Sequence, residues 1–165
     1  MVRVAVLAAF VALVSVVGAQ ATDWRDLEAG GVQVRVPAGW AKVLPAEAED
    51  AADPRAVLVV GTKGVSPRES RCHVSAYRVP ADGAAVVVIG ARGLASPAIP
   101  RTRDGLQQLR LEREYFDCFD GRGAAAQIAL KGRAYQVNVL VGDRAAAQTI
   151  QQALAIARSF GSAVS

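Results

Sequence analysis

Few residues in this chain are of a type that does chemistry. There are two cysteines, Cys72 and Cys118, and a single histidine, His73. A serine hydrolase needs a base beside its nucleophile, and His73 is the only imidazole available for that role. The sequence has no Gly-x-Ser-x-Gly elbow. Paired carboxylates could run acid/base chemistry, and the candidates are Asp117 with Asp120 and Glu112 with Glu114. Asp120-Gly121 reads as a turn, and Glu112 and Glu114 have Arg110 and Arg113 as charge partners. By two-residue alternation, His73 falls near Tyr77, so His73, Tyr77 and Asp117 form the one polar cluster that a site could use.

Metal and cofactor chemistry find little support. Cys72 and His73 are adjacent, and neighbours on a strand face opposite sides of a sheet, so the two ligate one ion poorly. The acidic stretch Glu47, Glu49, Asp50, Asp53 lacks the donor spacing and central glycine of a calcium loop. Gly121-Arg-Gly-Ala124 and Gly61-Thr-Lys-Gly64 match neither phosphate-loop nor dinucleotide patterns and read as turns. No catalytic residue, metal ligand or cofactor is expected.

What the cysteines do depends on where the protein is, and the first residues speak to that. Arg3 supplies a positive start, Val4 to Val17 are apolar except for Ser15, and Ala19-Gln20-Ala21 ends the run with small residues. This is the plan of a secretory signal peptide, with cleavage expected after Ala21. The apolar run is shorter than the roughly 20 residues that cross a bilayer. No cysteine stands near residue 21 to carry a lipid. The expected organisation is a signal peptide, 1–21, followed by one exported domain, 22–165, that leaves the membrane once cleaved.

In an exported chain an even cysteine count reads as a disulfide framework, here Cys72–Cys118. The pair is too far apart in sequence for the close spacing of redox-active thiols. Closing so long a loop stabilises by roughly 4 kcal/mol on the chain-entropy account. The formal charge is +4, but no run of five or six like charges exists, so no nucleic-acid partner is expected.

The elements that must hold these residues read mainly as strands. Val32, Val34 and Val36 alternate with Gln33 and Arg35, then Pro37-Ala-Gly39 turns and Trp40 follows as an apolar plug. Val57-Leu-Val-Val60 reads as a strand covered on both faces. Cys72 to Val79 and Ala84 to Ile89 read as a hairpin about Pro80-Ala-Asp-Gly83, then Gly90 to Arg103 as a long loop. Asp104 to Arg110 is a short helix and Glu112 to Phe119 a strand. Ala125 to Leu130 and Ala134 to Val141 form a second hairpin, with Tyr135, Val137, Val139 and Val141 on one face and Gln136 and Asn138 opposite. A closing helix carries Ile150, Ala153, Leu154, Ala157 and Phe160 in one stripe, with Asp143 as N-cap, Arg158 complementing its C-terminal dipole and Gly161 as stop. Trp24 is the aromatic expected to be exposed. The expected fold is α+β: a six- or seven-stranded, mainly antiparallel sheet covered by a C-terminal helix.

The strand closed by Val36-Pro-Ala-Gly-Trp40 and the helix ending Ala155-Ile-Ala-Arg-Ser-Phe160 carry a resemblance. The chain resembles the PsbP-like α/β sandwich lipoproteins and secreted domains of bacteria. Its middle, Val57 to Val141, is similar in strand order to uncharacterised exported proteins of actinobacteria. The resemblance implies a sheet covered by helices and a binding or accessory role, and it carries over no catalytic residue. The function expected is that of an exported, non-catalytic binding or accessory domain with an extracytoplasmic protein or small ligand as partner. The alternatives are a small extracytoplasmic hydrolase built on His73 or Asp117, and a cell-envelope structural protein anchored by an uncleaved N-terminus.

Overall fold

A computed structural model describes residues 23–46, 55–94, 98–111 and 118–163. The leader, the acidic stretch from Glu47 to Asp53 and the segment Glu112 to Asp117 lie outside the described residues. The first element is a hairpin of β1 (Trp24–Ala29) and β2 (Val32–Pro37), paired from Trp24↔Pro37 to Ala29↔Val32. Its two turn residues, Gly30 and Gly31, have φ of 59° and 78°, which a two-residue hairpin turn of matching twist requires. β3 (Trp40–Lys42), β4 (Arg55–Thr62), β7 (Ala84–Leu94), β8 (Arg122–Leu130) and β9 (Arg133–Val141) make an antiparallel five-stranded sheet in the order β3-β4-β7-β9-β8. β5 (Ser66–Pro67) and β6 (Tyr77–Arg78) form a small pair between β4 and β7 in sequence. Two helices, α1 (Asp104–Gln107) and α2 (Ala147–Ser159), are followed by β10 (Gly161–Ser162), which adds to β2 as a third strand.

The class is therefore α+β with a C-terminal helix, but the strands are divided among sheets of five, three and two rather than gathered in one of six or seven. The division follows from where apolar faces go. Along β7, Ala84, Val86 and Val88 join one core, and Ala85, Val87 and Ile89 join another on the opposite face. On the first face they meet Val32, Val34 and Val36 of β2 and Ala153, Ile156, Ala157 and Phe160 at α2. A helix and a second small sheet thus share the task of covering one face. Each fully buried valine contributes about 1.5–3 kcal/mol relative to an exposed one. A bulge between Ala56 and Leu58 shifts the register of β4, so Val57 and Leu58 both serve the first core.

The second face is covered by the chain around Val74, Ala76, Tyr77 and Phe119, with Cys72 and Cys118 packed against it. Here the structure corrects the expected strand from Cys72 to Val79: residues 73–76 form turns, and only Tyr77 and Arg78 are extended. Side chains redirect the backbone. The Cys72 N–H donates to Ser70 Oγ at 3.1 Å, Ser75 Oγ donates to the Cys72 carbonyl at 3.3 Å, and the two hydroxyls share a bond of 2.5 Å. Such local bonds satisfy groups that a ladder would otherwise use. Cys118 and Phe119 likewise lie in a turn and a single bridge. β7 continues to Leu94, into what reads as loop from Gly90.

Two other expectations change. Asp143 is exposed in a turn, and α2 begins later, at Ala147, without a side-chain cap. Trp24 is half-buried in β1 and packs against the first core. Arg158 stands in the last turn of α2, as its role against the helix dipole requires, and its Nη2 also donates to the Leu109 carbonyl at 3.0 Å, while Arg103 Nη2 donates to the Arg158 carbonyl at 2.5 Å. The stripe of α2 is as expected, and the Phe160 ring packs tilted against that of Tyr135, with centroids 5.4 Å apart.

Candidate functional site

Of the residues singled out by chemistry, Tyr77 lies in the core of the second face of the five-stranded sheet, with Cys72 and Cys118 packed against it. Cys72 and Cys118 are joined as a disulfide, with Cα atoms 6.6 Å apart. Both sulfurs are therefore committed to each other and neither is a free nucleophile or metal ligand. The bridge ties the turns around Cys72 to the turn at Cys118 that precedes β8, beside Phe119, so it clamps the cover of the second core. Arg68 reinforces the same cover: its Nε donates to the Ser75 carbonyl, and its backbone N–H donates to that of Ala76.

His73 sits half-buried in the turn rather than mid-strand, so the alternation that placed it near Tyr77 does not apply. Tyr77 is buried, 1% exposed, and its hydroxyl accepts the Ala46 N–H at 2.9 Å. Burial pushes the phenol above its ordinary pKa of 10.0, and the bond from Ala46 offsets part of that rise. Tyr77 therefore stays protonated across neutral pH and holds the chain before β4 onto the cover. Asp117 lies outside the described residues. Among the described residues, no group of three or more His, Cys, Asp or Glu side chains is placed to hold a metal ion.

Two concavities flank this region. One, of about 310 Å³, is an open depression at Ala46, Pro67, Arg68 and Glu69, on the outer side of the β5–β6 pair. The other, of about 140 Å³, lies toward the far end of β7, β8 and β9 and is lined by Ile89, Ile99, Gln127, Tyr135 and Gln136 among others. The residues that sequence reasoning missed are Ser70, Ser75 and Arg68 around the disulfide and Gln127 in the groove. Hydroxyls close to a cysteine are a recognisable turn signal, whereas the groove depends on strand pairing that no local pattern reveals.

No helix among the described residues is long and apolar enough to cross a membrane. No protein-family model matches the chain, and no curated protein matches it.

Proposed function

We propose that the chain is an exported, non-catalytic binding or accessory domain that works outside the cytoplasm. The observation that carries this reading is the Cys72–Cys118 disulfide, because such bridges persist in oxidising compartments and are rare where thiols are kept reduced. The bridge clamps a covering layer rather than a reactive centre, which fits a structural staple in a binding scaffold. The leader from Met1 to Ala21 supplies the route, and cleavage after Ala21 would free residues 22–165 as one domain, with an extracytoplasmic protein or small ligand as partner, and no contact with nucleic acid or membrane.

Kinship with the PsbP-like α/β sandwiches belongs to the same proposal. It is supported by the Val36–Trp40 strand end and by the closing helix that seats Phe160 in the first core.

The test is expression of the full-length chain in an exporting host, followed by fractionation and intact mass. A mature chain beginning at Thr22, outside the cytoplasm and with no free thiol, is expected. A chain that keeps residues 1–21 would select the anchored alternative. Specific turnover by the purified domain, lost in His73→Ala, would overturn the non-catalytic reading.

A further inference from the structure

Asn138 is the anomaly of the second face. It is 0% exposed, among strands whose other inward residues on that face include Val87 and Leu140. A buried amide is unfavourable unless its groups are bonded, and those of Asn138 are. Its Nδ2 donates to the Val87 carbonyl at 3.3 Å, and its Oδ1 accepts from Nε2 of Gln136 at 2.8 Å. The second bond does more than satisfy Asn138. It fixes the orientation of the Gln136 amide, drawing the nitrogen inward and leaving Oε1 as an acceptor for another group.

Gln136 faces the groove. Ile89 stands directly opposite it on β7 and Gln127 directly opposite it on β8, so the three form one row across the sheet. The row ends in an exposed amide at Gln127 and an apolar side chain at Ile89, with Ile99 and Tyr135 also lining the space. The volume of about 140 Å³ is comparable to that of a cavity which accepts a benzene ring, on the order of 150 Å³. No charged side chain is among the described residues lining it. An ionised ligand would gain no counter-charge from those residues.

We propose that this groove binds a neutral carboxamide carried on a small apolar body. The ligand NH₂ donates to Gln136 Oε1, its carbonyl accepts from the Gln127 amide, and its apolar body rests on Ile89 and Ile99. This assignment rests on the reading of the chain as a binding domain and supplies that reading with a site and a ligand class. The same chemistry is offered by a free aromatic amide and by a glutamine side chain in a peptide.

The experiment is NMR titration of the disulfide-intact mature domain with benzamide, benzoate and toluene, and with N-acetylglutamine amide to separate the two sources. Benzamide is expected to bind on the order of millimolar, as suits so small a ligand. It should shift the side-chain amide signals of Gln127 and Gln136, and benzoate and toluene should bind more weakly. Gln127→Ala, an exposed position, should leave the fold intact and weaken benzamide by roughly three- to tenfold. Preference for N-acetylglutamine amide over benzamide would name a peptide as the source, and the reverse a free amide. Absence of benzamide binding, equal binding of toluene, or no effect of Gln127→Ala would overturn the proposal. Shifts confined to another surface would remove this site while leaving the binding-domain reading in place, and catalytic turnover would remove that reading instead.

Discussion

The indole Nε1 of Trp40 donates to Oε1 of Gln152 at 3.1 Å, joining the first residue of β3 to the middle of α2 across most of the chain. Trp40 is 2% exposed, and its ring lies in the first core with Leu58, Val60 and Phe160. The apolar body of the side chain fills the space beneath the helix, and its one polar group finds a partner at the helix surface.

That geometry separates into two measurable parts. Trp40→Ala is expected to cost about 3–5 kcal/mol, since the cavity it leaves cannot collapse under a helix held from both sides. Gln152→Ala removes only the hydrogen bond and is expected to cost about 0.5–1.5 kcal/mol. In a double-mutant cycle with Trp40→Phe, urea unfolding should give a coupling near the size of that one bond. Strict additivity would show that the bond contributes nothing.

Cutting the Cys72–Cys118 bridge should act on one face of the sheet. The double variant Cys72→Ser, Cys118→Ser is expected to lose about 2–4 kcal/mol of stability by denaturant titration. Hydrogen exchange should rise in residues 70–79 and 118–121, while the amides of β2 and α2 remain protected, because those elements belong to the first core. Equal acceleration throughout would mean that the two cores open as one.

Tyr77 makes stability depend on alkaline pH. Its pKa is raised in the folded protein, so the folded state keeps the phenolic proton after the unfolded chain has released it. The stabilisation is complete below about pH 10 and is lost as pH rises through the higher folded value. Unfolding measured from pH 8 to 12 should therefore show a decline that Tyr77→Phe reduces. At pH 7 the same variant should lose about 1 kcal/mol, the worth of the bond from Ala46.

Gly142 follows β9, where the chain turns past the loop that precedes β7. A Cβ there would stand 2.2 Å from the Pro80 carbonyl oxygen and 2.4 Å from that of Ala81, both backbone atoms. Its own N–H donates to the Gly83 carbonyl at 3.0 Å, which holds the two segments together. Gly142→Ala is expected to cost about 1–3 kcal/mol or more, read as a lowered thermal midpoint. An unchanged midpoint would show that this contact gives way freely.

Local signals and their failures divide by the range of the forces involved. The β8–β9 hairpin is legible because the alternation of Tyr135, Val137, Val139 and Val141 agrees with the turn chemistry of Lys131-Gly132, which the structure adopts with φ of 49° and 77°. The apolar stripe of α2 is legible for the same reason, as one face meets one core. β1 escapes sequence reading because its half-buried residues, Trp24, Leu27 and Ala29, are separated unevenly by exposed Arg25, Asp26 and Glu28, so no strict alternation marks it. The false strand at Cys72, Val74 and Ala76 shows the converse. These residues do meet an apolar core, but through turns shaped by Ser70 and Ser75, so alternation was satisfied without extension. Of the polar residues named in advance, Tyr77 turns out to be a tether for Ala46 and His73 to stand in a turn, and the fixed amide of Gln136 becomes visible only once Asn138 is seen to be buried. That burial needs cover on both faces of the sheet, a long-range fact.

β2 takes β1 on one side and β10 on the other, and α2 lies over the same core. The first core is therefore closed by two pieces far apart in sequence, the β1–β2 hairpin and the α2–β10 segment. Contacts between pieces so distant in sequence carry a large loop-closure entropy, so this face is expected to close late in folding, when Phe160 and the pair Gly161–Ser162 reach the first core and β2. In the exported chain proposed above, late closure of this face would keep the passenger threadable and set the moment of folding at arrival.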